Sequence, residues 1–470
     1  VSAVLELEDI QGLVARGYGN LPSAAFVLVG FPDDADSRGW LGRLADEVTP
    51  AAERPDRRSL HVAFTARGLA RLGLDPATGG FSPEFVGGMT TPHRRRLLGD
   101  LGANAPEGWD WGGPSTPGVH AVLLLYAVDD DELEAFLAIQ TSGLASAGLR
   151  AIGTLPTRPL DAYEHFGFHD GISQPIVEGL SRQGRWEDSV RAGEFVLGYP
   201  NEYGRYTDVP LVGASADPAG ILPPARDGGG AHDLGRNGTY LVLRQLAQYV
   251  HRFWGYADQA ARSNGGPAYP AERERVAAKL VGRWPSGAPL VLSPDRDDRG
   301  LSGFNDFDYH GADPLGDRCP VGAHIRRANP RDALDPDPGT RASVAVGKRH
   351  RILRRGRSYG SRVGVEEALA RDEDAREDRG LQFLSLNANI ARQFEFIQHS
   401  WINDPKFVGL YDDPDPLVGA RSGSHSVFTV QRSPVRARLP SMPEFVSVRG
   451  GAYLFLPGIR AVRYLATLGS

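Results

Sequence analysis

Four short stretches hold the residue types that carry redox or acid–base chemistry. In Gly167-Phe168-His169-Asp170-Gly171-Ile172-Ser173-Gln174-Pro175 an acid and an imidazole lie between two glycines. Glycine permits a tight chain path or a close approach of backbone to a bulky ligand. Asp170 is therefore a candidate proton carrier, although a turn in which it binds its own backbone fits the same residues. In Cys319-Pro320-Val321-Gly322-Ala323-His324-Ile325-Arg326-Arg327-Ala328-Asn329-Pro330-Arg331 one imidazole sits between small residues and three guanidiniums. Such a nitrogen can approach a flat metal complex, and histidine is a common axial ligand of haem iron. The arginines would neutralise acidic groups on that complex. A partly buried histidine in a basic loop is the plainer alternative.

The third stretch, Arg351-Ile352-Leu353-Arg354-Arg355-Gly356-Arg357-Ser358-Tyr359-Gly360, reads as a basic turn; no Lys-Ser/Thr follows, so it is not a nucleotide P-loop. In the fourth, Leu381-Gln382-Phe383-Leu384-Ser385-Leu386-Asn387 reads as a core strand before a helix. That helix, IARQFEFIQHSWIND, puts Phe394, Ile397 and Trp401 on one face, and some of these residues can wall an apolar cavity.

Other chemistries fit less well. Zinc wants three or four convergent donors, and only His165 and His169 are helix-spaced, with no HExxH pattern. The single cysteine, Cys319, excludes a disulfide within the chain and a cysteine-built cage. There is no GxSxG elbow for hydrolase chemistry. Glycoside hydrolysis needs only two acids, so counting acids does not decide it. Lys+Arg 52 against Asp+Glu 58 gives −6. The cluster Arg351, Arg354, Arg355 and Arg357 is soon followed by Glu366, Glu367, Asp372, Glu373 and Asp374, so no basic field forms and nucleic acid is not an expected partner. Apolar runs such as Val122–Leu125 fall far short of a membrane span. VSAVLELEDIQG carries no basic n-region or long apolar run, which makes the cytoplasm the default expectation.

These residues need a scaffold. A chain of 470 residues exceeds the roughly 250–300 that one core usually serves, so two units are expected. Gly 58 and Pro 35 point to long turn-rich connections. Residues 23–31, 60–65 and 119–128 read as strands. Trp40, Leu41, Leu44 and Val48, and later Leu133, Phe136 and Leu137 behind Asp129-Asp130-Asp131, recur at helical spacing. Thr65 reads as an N-cap. A second round follows, with strands at 195–200 and 238–246, a helix at 272–284, and two strands about a glycine turn at 445–458. Alternation at this pace implies helices packed on sheets in an α+β arrangement, and the matching element order suggests duplication. Residues 201–237, 286–322 and 328–345 read as long loops walling a site.

Taken in order, GFHDGISQP, AHIRRANPR and ILRRGRSYG resemble the dye-decolourising (DyP-type) haem peroxidases. The likeness extends over DIQGLVARGYG (9–19), LHVAFTARGLARLGL (60–74), LQFLSLN (381–387) and RGGAYLFLPG (449–458), nearly the whole chain, and the long loops are similar to those of the larger members. The resemblance implies a duplicated ferredoxin-like α+β fold: two antiparallel β-sheets with surrounding helices and haem b between the halves. Residues 1–190 would carry the distal acid, and 191–470 the proximal histidine and distal arginine.

By the same resemblance His324 is the proximal iron ligand, Asp170 the distal acid and Arg354 the distal arginine. Leu381 and Phe383 border the distal pocket, Gln174 faces the cofactor, and Arg326, Arg327 and Arg331 are candidates for the haem propionates. Asp415 matches the acid behind the proximal histidine, with Asp412 and Asp413 close by. The implied activity is reduction of hydrogen peroxide through a ferryl intermediate. Asp170 would move the peroxide proton to the outer oxygen while Arg354 stabilises developing charge. An ordinary aspartate pKa near ~3.9 places the activity on the acid side. The electrons would come from a phenolic, dye-like or other aromatic reductant, by way of surface tyrosines or tryptophans when it is bulky; with Tyr 15 and Trp 7 no relay stands out. Three other readings remain: a haem enzyme of specialised metabolism acting on one defined small molecule, a non-catalytic haem-binding protein, and a structural α+β protein with no Soret band.

Overall fold

The computed structural model describes residues 4–180, 184–262, 268–370, 378–421 and 426–468; Asp372, Glu373 and Asp374 lie outside them. Four strands form the N-terminal sheet: β1 (Ser23–Gly30), β2 (Arg58–Phe64), β3 (Ala121–Ala127) and β4 (Arg150–Pro156). They pair antiparallel in the order β2-β3-β1-β4. Five more follow: β5 (Thr239–Gln248), β6 (Leu353–Arg354), β7 (Arg357–Tyr359), β8 (Gly380–Asn387) and β9 (Val446–Leu456). Both β6 and β7 pair with β8, which pairs with β5, which pairs with β9. Counting β6 and β7 as one interrupted strand, each half runs second-third-first-fourth. That shared order is the duplication, a ferredoxin-like α+β unit used twice. The two sheets meet at one residue pair, Phe64 of β2 with Phe455 of β9.

Strands β1, β2 and β3 are buried on both faces, while the edge strand β4 is largely exposed. Leu123 and Leu125 of β3 enter one core, and Val122 and Leu124 the other, following the two-residue period of a strand. Truncating such a side chain to alanine costs about 2–5 kcal/mol. The helices Ser37–Leu44 and Asp130–Ser146 cover the sheet through Trp40, Leu41, Leu44 and Phe136. Their starts follow local chemistry: Asp129 accepts from the Glu132 amide, and Thr65 Oγ1 from the Gly68 amide ahead of the helix Ala66–Arg71. The helix Pro270–Val281 stops at Gly282, whose φ of 100° suits glycine.

Two expected elements differ. Residues 195–200 form turns, not a strand, with Gly198 at φ 87°. Phe195, Val196, Leu197 and Tyr199 are all buried, so their apolarity reflects burial alone. In place of two strands about a turn over 445–458, Val446–Leu456 is one eleven-residue strand with a register shift between Val448 and Gly450. A Cβ on Gly450 would collide with the Trp111 indole, and one on Gly451 would come within 2.7 Å of Met89 Sδ. These glycines serve close packing; they do not reverse the chain.

The C-terminal sheet presents one face to a cavity. Arg244, Leu246 and Gln248 alternate along β5 and share that face with Leu381 and Phe383 of β8 and Val446 and Val448 of β9. The segment after β8 winds in wide π-type turns over Ala391–Glu395 and Ile397–Ile402. From it Phe394, Ile397 and Ile402 line the cavity, while Trp401 is buried in a neighbouring cluster.

Candidate active site

A cavity of about 310 Å³ brings together residues far apart in the chain, among them Asp170, His324, Arg354, Leu381 and Phe383. His324 opens the short helix His324–Ala328. Its Nδ1 donates to Asp415, at 3.0 Å to Oδ2 and 3.2 Å to Oδ1. Asp415 is fully buried, and its Oδ1 also accepts the Leu417 and Val418 amides at 2.9 Å each. Burial alone would raise this carboxyl; the His324 charge, its hydrogen bond and the Val418 amide outweigh that and hold it below the usual carboxylate range. Burial likewise pulls His324 down, but Asp415 more than compensates and its pKa is raised. With Nδ1 committed, Nε2 is the ring nitrogen available to the cavity. Of the neighbouring acids, Asp413 is turned to Thr429, and Asp412 has the positive φ of a turn residue.

Asp170 and Arg354 form a second pair, Nη1 to Oδ1 at 3.0 Å. The Asp170 loop is held by backbone: Asp170 N donates to Ala162 O and His169 N to Pro285 O. Gly171, at φ 79°, turns the chain so that its own amide reaches Asp170 Oδ1 at 2.6 Å. Asp170 keeps 43% of its side chain accessible, and that surface opens into the cavity. Enclosure would raise its pKa; the Arg354 charge, the Gly171 amide and the Arg354 hydrogen bond outweigh it, so the carboxyl is held below 3.8.

The wall between these pairs suits a flat apolar group with acidic edges. Phe166, Phe168, Phe383, Phe394, Ile397 and Leu417 provide the apolar surface. Arg283, Arg331 and Arg351 line the same cavity, and Arg351 Nη2 has no hydrogen-bond partner among the described residues although the residue is 8% exposed. An imidazole backed by a carboxylate, an unpartnered buried guanidinium and an apolar wall fit an iron porphyrin.

No protein-family model matches the chain. It is 31% identical to a dye-decolorizing peroxidase of Exidia glandulosa, over 97% of this chain and 86% of that one. It is 29% identical to a multifunctional dye peroxidase of an Amycolatopsis strain, over 98% and 96% respectively. A crystal structure of a fungal DyP-type peroxidase from Auricularia auricula-judae superposes with a TM-score of 0.79 at 26% identity, covering 99% of this chain and all of that one. The chain belongs to the dye-decolourising peroxidase family.

Dye-decolourising peroxidases are haem enzymes, and related crystal structures hold cyanide or imidazole. Within this peroxidase several residues stand apart from their expected places. Arg326 is buried against Asp313 and the Cys319 carbonyl, at 3.1 and 2.8 Å, away from the cavity. Arg327 is fully buried and donates to the carbonyls of Trp401, Asp404 and Asp413. Neither lines the cavity, because each is committed to buried acceptors elsewhere. Arg331 lines the cavity while donating to Asn305 and Phe307 carbonyls at 2.9 Å. Gln174 does not line it; its Oε1 accepts the Arg354 amide at 3.1 Å and so positions that arginine.

Other residues reach the cavity without a signal in the four stretches. Arg351 sits in the basic turn with nothing in the sequence to set it apart from its neighbours, and Arg283 falls just past the helix Pro270–Val281, at the end of a run that reads as an ordinary helix. Glu164 accepts the Phe166 and Phe168 amides and Gln248 Nε2 at 2.7–2.9 Å, and burial pushes its pKa up to about 7. Arg244 and Gln248 carry the one available cue, polar residues at alternate positions of an otherwise apolar strand. His165 and His169 do not converge: His165 Nε2 hydrogen-bonds the Tyr359 carbonyl and His169 Nδ1 that of Ser286. Among the described residues no group of three or more acidic, histidine or cysteine side chains could hold a bare metal ion, and no helix is long and apolar enough to cross a membrane.

Proposed function

We propose that this chain is a haem b peroxidase in which His324 holds the iron, Asp170 and Arg354 handle hydrogen peroxide, and phenols or dyes supply the electrons. The observation that carries the reading is the meeting, in one cavity, of a carboxylate-backed imidazole with a separate Asp–Arg pair. Haem, when bound, supplies the redox centre at which the peroxide O–O bond is broken. His324 Nε2 is the atom that would hold the iron, while Asp415 fixes the ring orientation and lends it negative character. Arg331, Arg351 and Arg283 would hold the propionates. Residues 1–190 bring Asp170, and 191–470 bring His324 and Arg354.

Asp170 is ionised across the ordinary pH range and therefore acts first as a base. Its carboxylate takes a proton from hydrogen peroxide and returns it to the departing oxygen as water forms. Arg354, always charged, stabilises the negative charge that builds on that oxygen and keeps Asp170 oriented. Phe383 and Leu381 add apolar wall to the same cavity, and apolar surroundings strengthen both electrostatic effects. The relatives' names speak for dyes as reductants, and one related structure is a complex with 2,6-dimethoxyphenol.

The ultraviolet–visible spectrum of purified, haem-loaded protein before and after one equivalent of peroxide tests the reading. A Soret band that shifts within the mixing time and returns on adding a phenol is expected. A Soret band unmoved by peroxide would leave a haem-binding protein without peroxidase chemistry, and no Soret band would remove haem altogether.

A further inference from the structure

Arg354 and Asp170 reach the cavity from different parts of the fold, and the sheets do little to fix their meeting. Arg354 ends β6, a strand of two residues that pairs with β8 only at Leu386 and Ser385. Asp170 stands on a loop beyond β4 of the other sheet, and the two sheets share a single residue pair. Two residues of strand are a weak anchor for a guanidinium that meets a carboxylate at 3.0 Å. The further hold comes from the next residue. Arg355 Nη1 donates to the Arg354 carbonyl at 3.2 Å, while its Nε and Nη2 donate to the Leu13 and Val14 carbonyls at 2.9 Å each. Those carbonyls belong to the short helix Gly12–Ala15, and the last carbonyls of a helix have no partner within it. The segment is itself fixed to the N-terminal sheet, because the Gln11 side chain exchanges hydrogen bonds with the Val62 backbone of β2 at 2.9 and 3.1 Å. Arg357, 2% exposed, adds a second tie to the same segment through the carbonyls of Gly17, Tyr18, Leu21 and Pro22.

The geometry points to Arg355 as a positioning residue for the peroxide step: it sets Arg354 against Asp170 by bracing the Arg354 carbonyl on the helix Gly12–Ala15. The Arg354 backbone is held on both sides, its N–H by Gln174 from the Asp170 segment and its C=O by Arg355. A planar guanidinium presents its donors in fixed directions and can span two chain segments at once, which a single ammonium does not reproduce. Arg355 does not line the cavity, so its effect on the chemistry passes through Arg354. Placement of this kind matters because a misplacement of about 1 Å can cost roughly a hundredfold in rate. The inference rests on the peroxidase reading above and adds to it a residue outside the cavity.

The test follows the reaction of haem-loaded protein with peroxide by stopped flow in Arg355→Met, Arg355→Lys, Arg354→Ala and the double variant Arg355→Met/Arg354→Ala. Arg355→Met should keep its Soret band yet react roughly tenfold more slowly than the parent, a smaller loss than the ~10² expected for Arg354→Ala. Arg355→Lys, which keeps the charge but not the fork, should be nearly as slow. The double variant should react no more slowly than Arg354→Ala, because a positioning residue has nothing left to place. Cyanide, an anion that binds ferric haem, gives a readout without turnover: its Kd should rise in Arg355→Met and be the same in the double variant as in Arg354→Ala. Asp170 faces the charges of Arg354, His324 and Glu164. The Arg355 variants displace only the first, so the acid limb of the peroxide rate should move to higher pH, less far than in Arg354→Ala. If Arg355→Met does not fold, Arg355→Lys, alone and combined with Arg354→Ala, carries the same comparisons. A parent-like rate in either single Arg355 variant overturns the proposal, and so does a further loss in the double variant, the mark of a general structural role. A parent with no peroxide-responsive Soret band, or Arg354→Ala reacting at the parent rate, defeats the underlying reading instead, so the failures are told apart.

Discussion

Two carboxylates serve this site in different ways, Asp415 from behind the His324 ring and Asp170 beside Arg354 on the cavity wall. Asp415 is fully buried, accepts the His324 ring and two backbone amides, and has no open face. Asp170 is paired with Arg354 but leaves 43% of its side chain, and Arg354 31%, open to the cavity. A sealed carboxylate with its lone pairs filled fixes geometry and charge and exchanges nothing. An open one can take up a proton and give it back. The structure thus separates a group that holds from a group that reacts, although both are aspartates held below their ordinary pKa.

Substitutions on the two sides should fail in different ways. His324→Ala should cost most of the bound haem, seen as collapse of the Soret-to-protein absorbance ratio; retention of full haem content would displace His324 from the role given to it. Asp170→Ala or Arg354→Ala should keep haem yet slow the reaction with peroxide by ~10² or more in stopped-flow spectra, and an unchanged rate in both would remove them from the chemistry. Asp415→Asn should act through the histidine, lowering haem affinity or activity by roughly tenfold to a hundredfold. Its effect should show in the ligand-field spectrum, which the Asp170 variant leaves alone.

The open pair also predicts a pH signature. Arg354 is among the groups that pull Asp170 below 3.8. The peroxide step needs the ionised acid, so it should hold steady above that lowered pKa and fall as pH drops through it. Removing the Arg354 charge lets enclosure raise the carboxyl, so in Arg354→Ala the acid limb should move to higher pH. An acid limb at the same pH in both proteins would mean that another group sets it.

What could be read from the chain, and what could not, divides along similar lines. Asp170 and His324 stand out because glycines and small residues surround them, and a backbone that must approach a ligand closely leaves that mark. The strands β1, β2 and β3 were readable because unbroken apolar runs admit few alternatives. Arg326 and Arg327 misled because a guanidinium looks the same in sequence whether it faces a ligand or threads between buried carbonyls; only the turn of the His324–Ala328 helix decides. Gly450 and Gly451 misled likewise, since a glycine pair that makes room for Trp111 and Met89 is spelled like one that reverses a hairpin. Arg355 and Leu13 lie 342 residues apart and meet only through the fold.

The smallest expected effect concerns Glu164, another carboxyl of the cavity wall. Burial raises it to about 7 from 4.5, against the Phe166 and Phe168 amides and Gln248 that favour its ionised form. Between those two pH values the folded protein binds more protons here than the unfolded chain, so this residue makes stability decline as pH rises from about 4.5 to about 7. The contribution is complete below the unfolded value and lost above the folded one. Glu164→Gln cannot titrate, and its amide nitrogen cannot accept the backbone donors, so the variant should be less stable throughout but with a flatter dependence of Tm on pH across that window. Thermal unfolding of haem-loaded parent and variant at pH 5 and pH 8 measures the difference; an equally steep dependence in both would assign the slope to another group and leave Glu164 as a charged acceptor resembling Asp415.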